Sequence, residues 1–232
     1  MSYLLTVFFI FFKLPMTHAS TKGIPTRPPI GSERFEFLTG KISIPTDLKS
    51  RWDRFYGKGQ YLYGKKPAKF IADNYHVIAP RGKVLDVGMG EGRNGVFLAT
   101  KGFHVTGIDI SDVAVKKAEI LAKENQTKIK TIVSDINDYD FPDESFDAIV
   151  SFYYVDRKLL GRLMKWLKPG GYIFYEAYLI DYKKQVKSKE PDQYFLKKQE
   201  LLNFFPNFKV LKYAENSLSP TMSSSICVKK TN

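Results

Sequence analysis

Apolar residues in this chain follow two spacings, and the switch between them marks out the elements. Five short apolar runs, at residues 83–87, 104–110, 129–133, 146–152 and 172–177, are dense enough to be strands buried on both faces. Between them apolar side chains recur every three or four positions, the period of a helix with one buried stripe. One such stretch follows Ser111, a side chain suited to capping a helix N-terminus, and places Ala114, Ala118, Leu121 and Ala122 on one face. Another carries Leu159, Leu160, Leu163, Met164 and Leu167 before the turn Lys168-Pro169-Gly170-Gly171. A third, over residues 94–101, ends in Lys101 and Gly102, a cation and a glycine where a helix C-terminus favours both. Strands alternating with helices in this way predict an α/β domain whose parallel sheet is covered on both faces.

The flanks extend that picture. An aromatic segment from Trp52 through Tyr63 leads into a helix expected over residues 67–78, with Pro67 in its first turn. Downstream, Lys183, Lys184, Lys187, Lys189, Lys197 and Lys198 lie in a polar stretch that reads as a solvated helix face. The last apolar runs, 208–213 and 224–229, are short and close together, which predicts an antiparallel pair ending a seven-stranded sheet. Residues 20–50, rich at first in Pro, Thr, Ser and Gly, read as an extended arm, leaving 51–232 as one domain. Residues 1–19 read as a signal or anchor segment, or as a start set too early, because Met16 would delete the apolar run at 3–12. That run is too short for an ordinary membrane-spanning helix.

Composition narrows the chemistry. A chain of 232 residues is long enough for one α/β core and short for two. Its single cysteine, Cys227, lies in the last apolar run and reads as packing. With only His18, His76 and His104 beside it, no metal-site spacing exists and no metal is expected. The net charge of +12 favours anionic partners without choosing among them. No aromatic-basic RNA-binding signature or zinc finger accompanies the charge, which disfavours nucleic acid.

The candidate chemistry gathers in Asp86-Val87-Gly88-Met89-Gly90-Glu91-Gly92. A strand that ends in glycines and opens a helix brings backbone N–H groups and a positive helix end to a ligand, so a nucleotide-like cofactor is expected. In one register Gly90 to Gly95 matches G-x-G-x-x-G, with Asp109 about the expected distance on, as in dinucleotide sites. Three features favour a sulfonium cofactor instead. Asp86 and Glu91 flank the glycines and would repel a pyrophosphate while suiting a sulfonium and an ammonium. Counted from Gly88, the dinucleotide pattern would need glycine where Arg93 stands. Finally, a helix ending in Leu167-Lys168-Pro169-Gly170-Gly171 follows the fourth strand.

These residues resemble a known family. Residues 84–92 look like the first motif of class I S-adenosylmethionine-dependent methyltransferases, Asp109 like the acid closing their second strand, and residues 167–171 like their turn before strand five. Gly92-Arg93-Asn94, with the upstream Tyr61-Leu62-Tyr63-Gly64 and Pro67, is similar to tellurite-resistance and thiopurine-type small-molecule methyltransferases. The resemblance implies the Rossmann-like class I methyltransferase fold, S-adenosyl-L-methionine as cofactor, and a cofactor site built from Asp86, Gly88, Met89, Gly90, Asn94, Asp109, Ile110, Asp135, Ile136 and Phe152. Within it Asp86 would orient the amino group, Asp109 would accept from the ribose hydroxyls, and Asp135 would take the adenine amino group between Ile110 and Ile136. A turn or helix cap is the alternative role for Asp135. Trp52, Phe55, Tyr56 and Tyr63 would form a lid over the cofactor, or simply pack an N-terminal helix.

Methyl transfer needs no universal catalytic residue; a nitrogen or oxygen acceptor could need a base, and Tyr153, Tyr154 and Glu176 are the candidates by position. Ser151-Phe152-Tyr153-Tyr154 departs from the Asp/Asn-Pro-Pro-Tyr/Phe signature of enzymes that methylate planar amino groups. The expected function is methyl transfer to a small-molecule nucleophile by a monomer. The alternatives are methylation of protein or RNA, or a non-catalytic protein keeping the fold. A cytoplasmic location is expected, with a secretory or membrane-targeted alternative through residues 3–12.

Overall fold

The computed structural model describes residues 47–188, 190–216 and 221–231. The apolar run at 3–12, the arm up to residue 46 and Lys189 lie outside the described residues. Seven strands form one sheet in the order β3-β2-β1-β4-β5-β7-β6. They are β1 (Lys83–Val87), β2 (His104–Asp109), β3 (Lys130–Val133), β4 (Phe146–Phe152), β5 (Leu167–Tyr178), β6 (Phe208–Asn216) and β7 (Ser223–Lys230). β1 to β5 are mutually parallel, and β7 enters antiparallel between β5 and β6.

Among the described residues six α-helices accompany the sheet: α1 (Leu48–Tyr56), α2 (Lys69–Asn74), α3 (Arg93–Thr100), α4 (Asp112–Glu124), α5 (Leu160–Trp166) and α6 (Ile180–Gln185). Alternation along the strands divides the core in two. Leu85, Ile149 and Ile173 pack with Leu163 and Trp166 of α5 on one face. Val84, Val150 and Phe174 pack with Leu98 of α3 and Ile71 of α2 on the other. Cys227 is buried on this second face, where burial pushes its thiol up to about 12 and leaves it an apolar filler.

Local signals account for the element ends. Ser111 caps α4 by accepting the Ala114 N–H at 3.1 Å. Gly92 takes φ of +82° at the start of α3, where a Cβ would lie 2.6 Å from the Ala118 Cβ of α4. The glycine therefore sets how closely the two helices pack.

Four elements differ from the sequence expectation. α1 starts at Leu48, inside the stretch read as an extended arm, because Asp47 caps it by accepting the Ser50 N–H. The helix expected over 67–78 spans only Lys69–Asn74 and tightens into a single 3-10 turn at Tyr75–Val77; Ala68 stays extended with its N–H committed to Asn94. The lysine-rich stretch is helical only over Ile180–Gln185, and Lys187 is already left-handed. Beyond it, Phe195, Leu196 and Leu201 are buried at spacings that suit no continuous helical stripe. Residues 167–171, read as a turn, belong to β5: Leu167 pairs with Phe146 across a bulge, and Gly170 absorbs the bend with φ of +72°.

Candidate active site

The sheet order reverses between β1 and β4, and a cleft of about 950 Å³, its open mouth included, lies beyond the strand ends there. β1 delivers Asp86 and the loop Gly88-Met89-Gly90; β2 delivers Asp109 and Ile110; the turn after β3 delivers Asp135 and Ile136; β4 delivers Phe152, Tyr153 and Tyr154. Asn94 and Arg93 face the cleft from the start of α3. All ten residues assigned above to a cofactor therefore line one space, as do Tyr153 and Tyr154.

The glycine loop is held open by left-handed backbone. Gly88 and Gly90 have φ of +61° and +54°. A Cβ on Gly88 would come within 3.1 Å of the Tyr154 ring, and one on Gly90 within 2.9 Å of the Tyr56 hydroxyl. Asp109 ties this loop to β2: its Oδ2 accepts the Gly90 N–H at 2.8 Å and its Oδ1 the Ser111 N–H at 2.9 Å. Each oxygen keeps a further lone pair for a ligand hydroxyl. Burial raises the Asp109 carboxyl to about 6, against the pull of those backbone N–H groups.

Asp86 lies deeper. Burial raises its carboxyl to about 7, the Gly95 N–H holds it down only in part, and its Oδ2 is buried without a hydrogen-bond partner. Asp135 accepts the Asn137 N–H at 2.9 Å through Oδ1, so it is a cap as well as a cleft residue.

Glu91 has a different role from the one its charge suggested. Its Oε1 pairs with Lys117 at 2.9 Å and its Oε2 accepts the Leu62 N–H at 2.6 Å, so the carboxylate fastens the aromatic segment to α4 instead of facing a cationic ligand unpaired. Glu91→Ala is expected to cost about 2 kcal/mol, below the usual cost of breaking a buried pair because Gln60 O still accepts from Lys117. Limited proteolysis near residues 61–63 should accelerate; an unchanged rate would remove the fastening role.

Asn94 likewise holds the Ala68 N–H at 2.9 Å. Trp52, Tyr56 and Tyr63 line the cleft, whereas Phe55 packs beside Trp52 and Tyr56 without reaching it. α1 is fastened over the cleft by Asp53, which accepts the Ser111 hydroxyl at 2.6 Å, and by Lys49, which bonds Asp53 and Asp112.

The candidate bases divide. Glu176 is buried and does not line the cleft; it stands behind Tyr153, accepting the tyrosine hydroxyl at 2.6 Å and the Ser223 hydroxyl at 3.5 Å. The physical reason is the strand alternation, which puts Glu176 on the face of β5 that buries Phe174, with Ser225 of β7 as its register neighbour. Burial raises the Glu176 carboxyl and lifts the Tyr153 phenol far above its ordinary value, so Tyr153 stays protonated at neutral pH. Leu48, Gly64, Arg93, Ile108 and Ser134 also line the cleft and were absent from the sequence-based site. Arg93 had a signal, a cation directly after the glycine motif; its guanidinium lies 5.6 and 5.4 Å from the Tyr63 and Tyr153 ring centres.

Residues 84–171, the span that builds most of this cleft, match the family model described as a methyltransferase domain. That match marks residues 84–171, under two fifths of the chain, as a methyltransferase domain. Its likeness extends to TehB of Haemophilus influenzae, named as an S-adenosyl-L-methionine-dependent methyltransferase, at 28% identity over 70% of this chain and 59% of that protein. The sterol 24-C-methyltransferase ERG6B of Gibberella zeae is 31% identical over 56% of this chain and 38% of its own length. The chain thus spans less than two thirds of either relative. The crystal structure of Haemophilus influenzae TehB shares the fold, with a TM-score of 0.59 at 20% identity over 79% of this chain and 67% of that one.

The residues present fit S-adenosylmethionine, the cofactor named for TehB. A buried unpaired carboxylate oxygen on Asp86 suits an ammonium, Asp109 has lone pairs to spare, and Ile110 and Ile136 offer apolar faces. Among the described residues no group of His, Cys, Asp and Glu could hold a metal ion, and no helix is long and apolar enough to cross a membrane.

Proposed function

We propose that the protein transfers a methyl group from S-adenosylmethionine to a small-molecule nucleophile by in-line displacement. The observation that carries this reading is the unpaired, buried Asp86 Oδ2 beside the glycine loop, which fits a cationic amino acid moiety and would repel a pyrophosphate. Asp109 would orient the ribose, Asp135 and the two isoleucines the adenine, and Arg93 would offer a counter-charge to the methionine carboxylate. The cofactor supplies an electrophilic methyl carbon on its sulfonium. The chain's own contribution is then to position both partners and exclude water, with Trp52, Tyr56 and Tyr63 roofing the cleft. Because Tyr153 is protonated and committed to Glu176, acceptors that need little help from a base, such as thiols and other soft nucleophiles, suit this site best.

Calorimetric titration with S-adenosylmethionine and with NAD tests the cofactor, and a screen of thiols, oxyanions, small acids, protein and RNA with methyl-labelled cofactor tests the acceptor. Absence of heat with S-adenosylmethionine would overturn the reading; label in RNA or protein alone would move it to a macromolecular substrate. The carboxyls add a pH dependence. Asp86 and Asp109 have folded-state values of about 7 and 6, above the ordinary 3.8, so between these limits the folded protein binds more protons than the unfolded chain. The ligand-free protein is therefore expected to lose stability as pH rises from about 4 to 7. An ammonium against Asp86 favours its ionised form, so cofactor affinity should rise about tenfold from pH 6 to pH 8, with proton release on binding. Asp86→Asn should flatten that profile; an unaltered slope assigns the proton elsewhere.

A further inference from the structure

A second, smaller cavity adjoins the cleft and shares Tyr63 and Tyr153 with it; Val155, Tyr178, Tyr194, Phe195 and Glu190 complete its lining. Two polar atoms of this lining have nothing to bond to. Glu190 is 1% exposed, and although its Oε1 meets the Arg51 guanidinium at 3.0 Å, its Oε2 is buried without a hydrogen-bond partner. The Tyr178 hydroxyl is also buried and unpaired. Orphaned buried polar atoms are rare because each costs the desolvation it never recovers, and two in the wall of one cavity imply a ligand group that brings donors.

Size and wall chemistry define that group. Counting only the space open to the centre of a water molecule, the cavity holds about 20 Å³ against about 90 Å³ in the cleft, room for one group the size of a water molecule or an ammonium. Its aromatic wall is continuous: Tyr63 and Tyr153 are parallel with centroids 6.4 Å apart, and Tyr153 and Tyr178 lie 4.5 Å apart. Ring faces attract a cation, and a carboxylate oxygen repels an anion. Arg93, the cation lying over Tyr63 and Tyr153, lines the cleft and not this cavity.

We propose that this cavity is the recognition subsite for a protonated amine carried by the methyl acceptor, its ammonium donating to Glu190 Oε2 and to the Tyr178 oxygen against the tyrosine faces. The remainder of the acceptor extends past Tyr63 and Tyr153 into the cleft. The ammonium is a handle and not the methylated atom, since a protonated amine has no lone pair to attack with. The word acceptor rests on the methyltransferase reading; the ammonium specificity rests on the cavity alone.

n-Propylammonium, 1-propanol and propionate are matched probes of size with three charges. Saturation-transfer NMR on the full chain should show propylammonium binding at least fivefold more tightly than propanol, with propionate undetected. Glu190→Gln and Tyr178→Phe should each weaken propylammonium fivefold or more while leaving S-adenosylhomocysteine affinity within twofold. The tyrosine variant removes a single oxygen and keeps the test open if the glutamine variant misfolds. Equal binding of propanol and propylammonium, or an unaffected Tyr178→Phe protein, overturns the proposal and leaves the cavity to a water molecule. Failure of S-adenosylhomocysteine to bind the unmodified protein would instead overturn the cofactor reading, with the ammonium result standing or falling by itself.

Discussion

Asp109→Ala is expected to weaken S-adenosylhomocysteine binding by about 5- to 150-fold, through loss of charge-assisted hydrogen bonds worth about 1–3 kcal/mol. The geometry adds a sharper expectation for Asp109→Asn. Both carboxylate oxygens already accept backbone N–H groups, from Gly90 and from Ser111. An amide can satisfy only one of them and must aim its own donors at the other. The asparagine variant should therefore bind nearly as poorly as the alanine variant, despite its matching shape, and should also melt at a lower temperature. Calorimetry and thermal unfolding on the same samples check both. Wild-type affinity in Asp109→Asn would show that the loop does not depend on the carboxylate.

Gly92→Ala should have the largest effect on stability, about 3 kcal/mol, and lower the melting temperature by about 10 °C. Two costs combine. A left-handed residue with a Cβ loses about 1–2 kcal/mol, and the new methyl would press on Ala118 of α4, 2.6 Å away, adding an overpacking cost of about 1–3 kcal/mol. Gly102→Ala is the internal control, because Gly102 has a similar φ of +89° but no atom within 4 Å of an added Cβ. It should lose only the backbone cost. Equal melting temperatures for the two variants would mean that α3 and α4 separate freely.

Much of the sheet was legible because parallel strands buried on both faces leave continuous apolar runs. Lys83–Val87 and Phe146–Phe152 coincide with such runs from end to end. Where the strand end carried a chemically distinctive residue, as with Asp86, Asp109 and Tyr153, the cleft could be read as well. Other features depend on partners distant in sequence. Nothing near Glu91 announces that Lys117 and the Leu62 N–H will claim its two oxygens. Glu176 looked poised for catalysis because it ends a strand, but the hydroxyls that occupy it, from Tyr153 and Ser223, lie 23 and 47 residues away in sequence. The glycines at 170 and 171 signal a turn by composition, yet β5 pairs with β4 on either side of them, at Leu167 and Tyr172, and takes them up as a bulge. Glu190 carried no local signal at all; only the approach of Arg51 and the tyrosines gives it a setting.

The place of β7 constrains how the sheet can be assembled. β6 precedes it in the chain, yet among the described residues β6 has no strand neighbour other than β7. When β6 leaves the ribosome, its berth beside the growing sheet does not yet exist. It must wait for residues 223–230, then join as one arm of a hairpin or lie down after β7 has docked on β5. Until that moment the long edge of β5 stays open, which makes the late-arriving strand the seal on the sheet.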